Sequence, residues 1–147
     1  MNLFKHPFMV MGLEYLHLEY VKAVQGGKVG FVVDCEWAEP ASDQMEDQAA
    51  AARHIDFLLG WYLDPIYFGD YPESMRKGLG DRLPKFSEKD REFIRNKIDF
   101  IGLNHYTSKF IANQPNPRPK EIHFFQARQI ETMGNMLQLS RTYLFCL

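Results

Sequence analysis

The stretch Lys28-Val29-Gly30-Phe31-Val32-Val33-Asp34-Cys35-Glu36-Trp37 decides the fold. Val29 to Val33 is nearly all apolar and does not alternate with polar residues. Such a run reads as a strand buried on both faces, as in a parallel sheet. Polar and aromatic side chains gather only at its C-terminal end, at Asp34, Glu36 and Trp37. A second run, Ile98-Asp99-Phe100-Ile101-Gly102-Leu103-Asn104-His105-Tyr106-Thr107, repeats the arrangement: apolar first, polar last.

Helical patterns surround both runs. Leu13, Leu16, Tyr20 and Val24 recur at helical spacing, which predicts a helix over about 12–24, ended by Gly26 and Gly27. Glu39-Pro40 breaks the chain, and Ser42, Asp43 and Glu46 suit the start of a helix to about Leu59. Met45, Ala49, Ala52, Ile55 and Leu59 form its expected buried stripe, with Glu46, Asp47, Arg53 and His54 elsewhere on the wheel. Pro65 argues against a regular helix through Trp61 to Phe68. Gly69-Asp70-Tyr71-Pro72 is a turn, followed by a short helix over Glu73 to Leu79 that Gly80 ends. Ser87 and Asp90 form a capping box for a charged helix to about Arg95, with Phe93 and Ile94 inward. Gln114 to Pro119 is a proline-spaced loop, and the tail from Glu121 shows some helical apolar spacing without a motif.

The order helix, strand, long helical excursion, helix, strand is that of α/β parallel-sheet proteins. Ligands in such folds meet the C-terminal ends of the strands. The residues at those ends are Glu36, Trp37, Asn104, His105 and Tyr106.

Composition narrows the function. Seventeen Lys+Arg against 19 Asp+Glu leave a net charge of −2, which gives no electrostatic case for nucleic acid or an anionic membrane. No apolar run approaches the roughly 18 residues that span a bilayer. The 2 cysteines, Cys35 and Cys146, are too few for a disulfide framework and read as free thiols. The first twenty or so residues lack a small-residue cleavage site, and no Asn-x-Ser/Thr sequon occurs, so a cytoplasmic location is expected. The 5 histidines, His6, His17, His54, His105 and His123, offer no ligand pair at helical spacing, so no metal is expected. Gly26-Gly27-Lys28 precedes a strand rather than a helix, the wrong order for a phosphate cradle, and no other cofactor motif appears. With 147 residues, the chain is a single domain that could be at most part of a complete (β/α)8 barrel of about 250 residues.

The blocks then become recognisable. Gly27-Lys28-Val29-Gly30, Trp37-Ala38-Glu39-Pro40, Asp47 with Ala50-Ala51 and Arg53, Asp56-Phe57, Gly60-Trp61 and Asp64-Pro65 occur in order. Gly69 to Pro72, Arg82-Leu83-Pro84 and Asp99 to Thr107 continue the series. Together they resemble glycoside hydrolase family 1, most nearly its plant β-glucosidases. The resemblance covers about 25–125, and the tail, 126–147, diverges. It implies a partial (β/α)8 TIM barrel in which the strand at Val29 is the fifth and the strand at Ile98 the sixth.

The family hydrolyses β-glycosides with retention, using an acid/base Glu in Asn-Glu-Pro and a nucleophile Glu in Glu-Asn-Gly. Neither motif occurs in this sequence. Glu39-Pro40 is a decoy, because Ala38 precedes it and it follows the fifth strand. The resemblance therefore implies no catalytic residue here, only support for a sugar pocket. Asn104 and Tyr106 match an Asn-x-Tyr whose tyrosine orients the nucleophile. Glu36 and Trp37 stand at the position facing the aglycone. Expected of this chain is a β-glucosidase segment, inactive alone, whose intact family acts on a small β-glycoside. The alternatives are a non-catalytic fragment that associates with a full-length relative, and an incomplete gene model with no product of its own. Two barrel strands alone would leave both edges of the strand pair open and apolar faces bare.

Overall fold

The computed structural model describes residues 22–95, 98–115 and 130–146, the last stretch through its backbone pairing. The predicted helix at 12–24 lies mostly outside them. Residues 22–25 are helical, and Gly26 at φ 63° closes the turn as predicted. The loop beyond Pro115 and the tail up to residue 129 also lie outside the described residues.

Strands β1 (Gly30–Asp34), β2 (Trp37–Pro40), β3 (Phe100–Asn113) and β4 (Ile130–Cys146) form one four-stranded sheet. β1 runs parallel to β3 from Gly30 opposite Phe100 to Asp34 opposite Asn104. β2 is also parallel to β3, from Trp37 opposite Ser108 to Pro40 opposite Ile111. β4 is antiparallel to β3 along its length, from Phe100 opposite Cys146 to Asn113 opposite Ile130. Because β4 lines one edge of β3, β1 and β2 share the other and act as one interrupted strand. Asp99 ties the strand starts together. It accepts from Val29 N at 2.8 Å and pairs with Lys22 at 2.9 Å, while Asp99 N donates to Val29 O at 2.7 Å.

The chain between β2 and β3 is helical: α1 (Met45–Ile55), a π turn (Asp56–Gly60), α2 (Trp61–Phe68), α3 (Glu73–Leu79), a 3₁₀ turn (Gly80–Arg82) and α4 (Glu88–Ile94). Ala50 and Ala51 of α1 pack on Ala38 and Ile111, so α1 covers one face of the sheet. A second cluster gathers Phe57, Tyr71, Met75, Leu79, Leu83, Phe86 and Ile94, with Trp61 against it. The Tyr71 and Phe86 rings lie 4.9 Å apart, and Arg76 sits 5.2 Å from the Tyr71 ring centre. Arg76 also donates to Pro84 O at 2.9 Å and pairs with Asp70, which fastens the loop after α3 to α3. The Ser87–Asp90 capping box and the helix Glu73–Leu79 are as the sequence predicts.

Several expectations need correction. β1 is buried on one face only: Val33 is 5% exposed and Val32 59%. The other face of the sheet has no layer over it among the described residues. Glu39-Pro40 does not break the chain but ends β2, since Pro is tolerated on a strand paired along one side. The N-cap position of α1 falls on Gln44, whose side chain makes no capping bond, and Ser42 donates to Asp47 at 2.6 Å. Its buried stripe is Ala50, Ala51 and His54, whereas Met45 is 81% exposed. Pro65 lies inside α2, directly after a π turn that already departs from regular helical bonding. Phe93 is exposed rather than inward. β3's far edge is not open, because β4 pairs with it; from Ile130 to Cys146 the tail is a strand and not a helix.

Candidate functional site

The site is the uncovered face of the sheet, beside the C-terminal end of β1 and the middle of β3; contrary to expectation Asn104, His105 and Tyr106 do not end their strand, because pairing with β2 and β4 carries β3 on to Asn113. Side chains alternate across a strand, and residues paired in register share a face. Val33 and Ile111 therefore mark the helical face, with Leu103 and Lys109. Val32, Asp34, Asn104, Tyr106, Ser108 and Phe110 take the other face. Val32, Tyr106 and Phe110 are exposed there, as is Trp37 opposite Ser108.

The interruption between β1 and β2 sets where each expected residue points. Asp34 pairs with Asn104 and Trp37 with Ser108, so three steps along the interrupted strand match four along β3. Cys35 N still donates to Asn104 O at 3.0 Å. Two consecutive residues, Cys35 and Glu36, consequently turn toward the helices. Cys35 is buried, and burial followed by the charge of Glu36 pushes its thiol up to about 11. Glu36 Oε2 meets Lys109 Nζ at 2.7 Å and lies 3.7 Å from Nε2 of the buried His54. His105 Nδ1 lies 3.1 Å from Cys35 O, where it can donate to that carbonyl.

Of the four expected pocket residues, the structure gathers three on the open face: Trp37, Asn104 and Tyr106. The Trp37 indole donates to Glu39 Oε1 at 2.7 Å, which fixes the ring over the end of β2. Glu36 sits apart, in the cluster with Lys109 and His54. That cluster leaves no mark in the sequence, because His54 counts as polar in a helical pattern and yet is 2% exposed. Asp34, paired with Asn104, also joins the open face, and its place at the end of an apolar run is the signal that marks it in the sequence.

The face offers an amide, a phenol, a carboxylate and an aromatic plane. Hydroxyl-rich molecules with apolar C–H faces match such a set: polar groups bond hydroxyls, and the indole stacks on the C–H face. Among the described residues no group of His, Cys, Asp and Glu could hold a metal ion, and no helix is long and apolar enough to cross a membrane.

Comparison with known proteins settles the family. The model of glycosyl hydrolase family 1 matches residues 5–140. The chain belongs to that family. It is 70% identical over 110 residues to Beta-glucosidase 4 of Oryza sativa subsp. japonica, covering 75% of this chain and 22% of the relative. With Beta-glucosidase 42 of Arabidopsis thaliana it shares 55% identity over 111 residues, again 75% and 22%. A crystal structure of a rice beta-glucosidase superposes with TM-score 0.73 at 31% identity, covering 80% of this chain and 26% of that one. A beta-glucosidase from Trichoderma harzianum gives 0.70 at 33% identity, over 84% and 27%. The chain thus spans about a fifth of the length of the curated relatives it matches. Its fold is α/β, a partial TIM barrel with the parallel strands β1, β2 and β3 and their helices.

Proposed function

We propose that this chain is the part of a retaining β-glucosidase that builds one wall of the sugar pocket, with both catalytic carboxylates supplied from elsewhere in the barrel. The 70% identity to Beta-glucosidase 4 over 110 residues carries this reading. Retaining hydrolysis needs two carboxyl groups about 5–5.5 Å apart, one as nucleophile and one as acid/base. The open face holds Asp34 and Glu39, and Glu39 is engaged by the Trp37 indole. In the proposed role, Asn104 bonds sugar hydroxyls and Tyr106 donates to the nucleophile carboxylate, favouring its charged form.

Two assays test the reading. The chain alone, incubated with an aryl β-glucoside, gives no release above a matched blank; release would overturn the assignment of the chemistry to other parts of the barrel. Grafted into the rice relative in place of the aligned 110 residues, the segment supports hydrolysis. In that graft Tyr106→Phe lowers kcat at least tenfold with little change in KM, whereas an inactive graft with native-like melting would refute the pocket role.

The bare face also supports a second reading, a non-catalytic fragment that associates with a full-length relative. Val32, Trp37, Tyr106 and Phe110 are large side chains left in solvent on that face. Co-purification with an intact family member supports it, and its loss on Val32→Lys locates the contact.

A further inference from the structure

A barrel gives each strand a parallel neighbour on both sides. β3 has parallel neighbours on one side only, and β4 lies antiparallel on the other. The direction of the backbone groups is fixed by one bond: Cys35 N donates to Asn104 O, so Asn104 faces β1. Alternation then turns the N–H and C=O groups of Ile101, Leu103 and His105 toward β4. Their partners in register are Phe145, Tyr143 and Arg141. Left unpaired, those groups would present an edge that pairs with any available strand.

We infer that residues 141–146 are an intramolecular edge guard: they hold the place where a family 1 barrel would seat a parallel neighbour, and they keep β3 from pairing with a second copy of this chain. The inference rests on the family fold but not on the pocket role, so an inactive graft leaves it standing. The guard is local. Register shifts fall between His105 and Thr107, between Ser108 and Lys109, and between Phe110 and Ile111, so the stretch of β4 facing Phe100 to His105 pairs without a bulge. That stretch can peel away while the part beyond the shifts stays paired.

Tyr143→Pro in the full chain tests this, since proline removes the donor opposite Leu103. Amide exchange of Leu103 and His105 is expected to rise at least tenfold, while the β1-facing amides of Gly102 and Asn104 keep their protection. Sedimentation of the same variant is expected to show concentration-dependent dimers absent from the parent chain. Both are measured in a Val32→Lys background, so that the open face does not contribute. Unchanged exchange at Leu103 overturns the pairing, and faster exchange without dimers overturns the guarding role. Should the variant lose protection throughout β1, a chain shortened after Ser140 replaces it and is judged by the same two readouts.

Discussion

The helical excursion and the sheet it interrupts solve the same problem differently. The excursion closes on itself: Phe57, Met75 and Leu83 are almost fully buried among helices and turns that follow one another in the chain. Among the described residues the sheet is covered on one face alone, with α1 upon it, and its other face carries exposed Val32, Trp37, Tyr106 and Phe110. A local core needs only its own segment, whereas a sheet face needs a partner from far away in sequence. The contrast explains how a piece of a barrel can hold a well-packed subunit beside a bare interior wall.

The largest effect should come from inside the helical cluster. Phe57→Ala is expected to cost about 3–5 kcal/mol, the range for truncating a fully buried phenylalanine, read as lost denaturant resistance by circular dichroism. A cost near zero would show that the excursion is as loosely held as the open face. Ser87→Ala removes the acceptor for Asp90 N and half of the capping box, and should cost about 1 kcal/mol. The loss should appear first in exchange of the α4 amides.

A pH-dependent effect of smaller reach follows from Asp47. Its hydrogen bond from Ser42, and then that from Asn113 N, hold the carboxyl below the usual range and link α1 to the end of β3. A carboxyl depressed in the folded state stabilises above its unfolded value, near pH 4, and that contribution disappears as pH falls through the lower folded value. Asp47→Asn should therefore flatten the acid limb of a melting-temperature profile below about pH 4. A limb of unchanged slope would assign the acid sensitivity to other carboxylates. The smallest effect belongs to the open face, where Phe110→Thr should change stability by no more than about 0.5 kcal/mol, as for an exposed position. A cost rivalling that of Phe57→Ala would mean that the face is covered.

The same contrast governs what could be read from the sequence. Elements specified by neighbouring residues were legible: the capping box at Ser87, the helix Glu73–Leu79, the left-handed glycine at 26, and the apolar runs of β1 and β3. Asn104 and Tyr106 stand out in the sequence as the polar end of an apolar run, yet β3 continues past them to Asn113 because β2 and β4 pair with its polar half. β2 was not legible, because Pro40 reads locally as a breaker and only its pairing along one side makes it acceptable. The phase of α1 was lost in the four alanines from Ala49 to Ala52, which give size-based periodicity nothing to weigh. β4 depends wholly on pairing with residues far back in the chain, from Asn113 opposite Ile130 to Phe100 opposite Cys146. Glu36 turned away from the open face because an unequal step count between β1–β2 and β3 places Cys35 and Glu36 on one side, and step counts across strands leave no mark on a single strand.

The π turn at Asp56–Gly60 works as a gear between two meshing surfaces. One added residue in a helical turn rotates everything downstream by roughly 100°. Before it, Ala50, Ala51 and His54 engage the sheet; after it, Trp61 joins the helical cluster and Pro65 and Ile66 are buried. Gly60 lets the turn run close to the next segment, since a Cβ there would come within 2.8 Å of Pro72 Cγ. Deleting one residue from this turn would shorten the chain trivially yet spin α2 out of mesh, so this stretch should tolerate substitutions far better than changes in length.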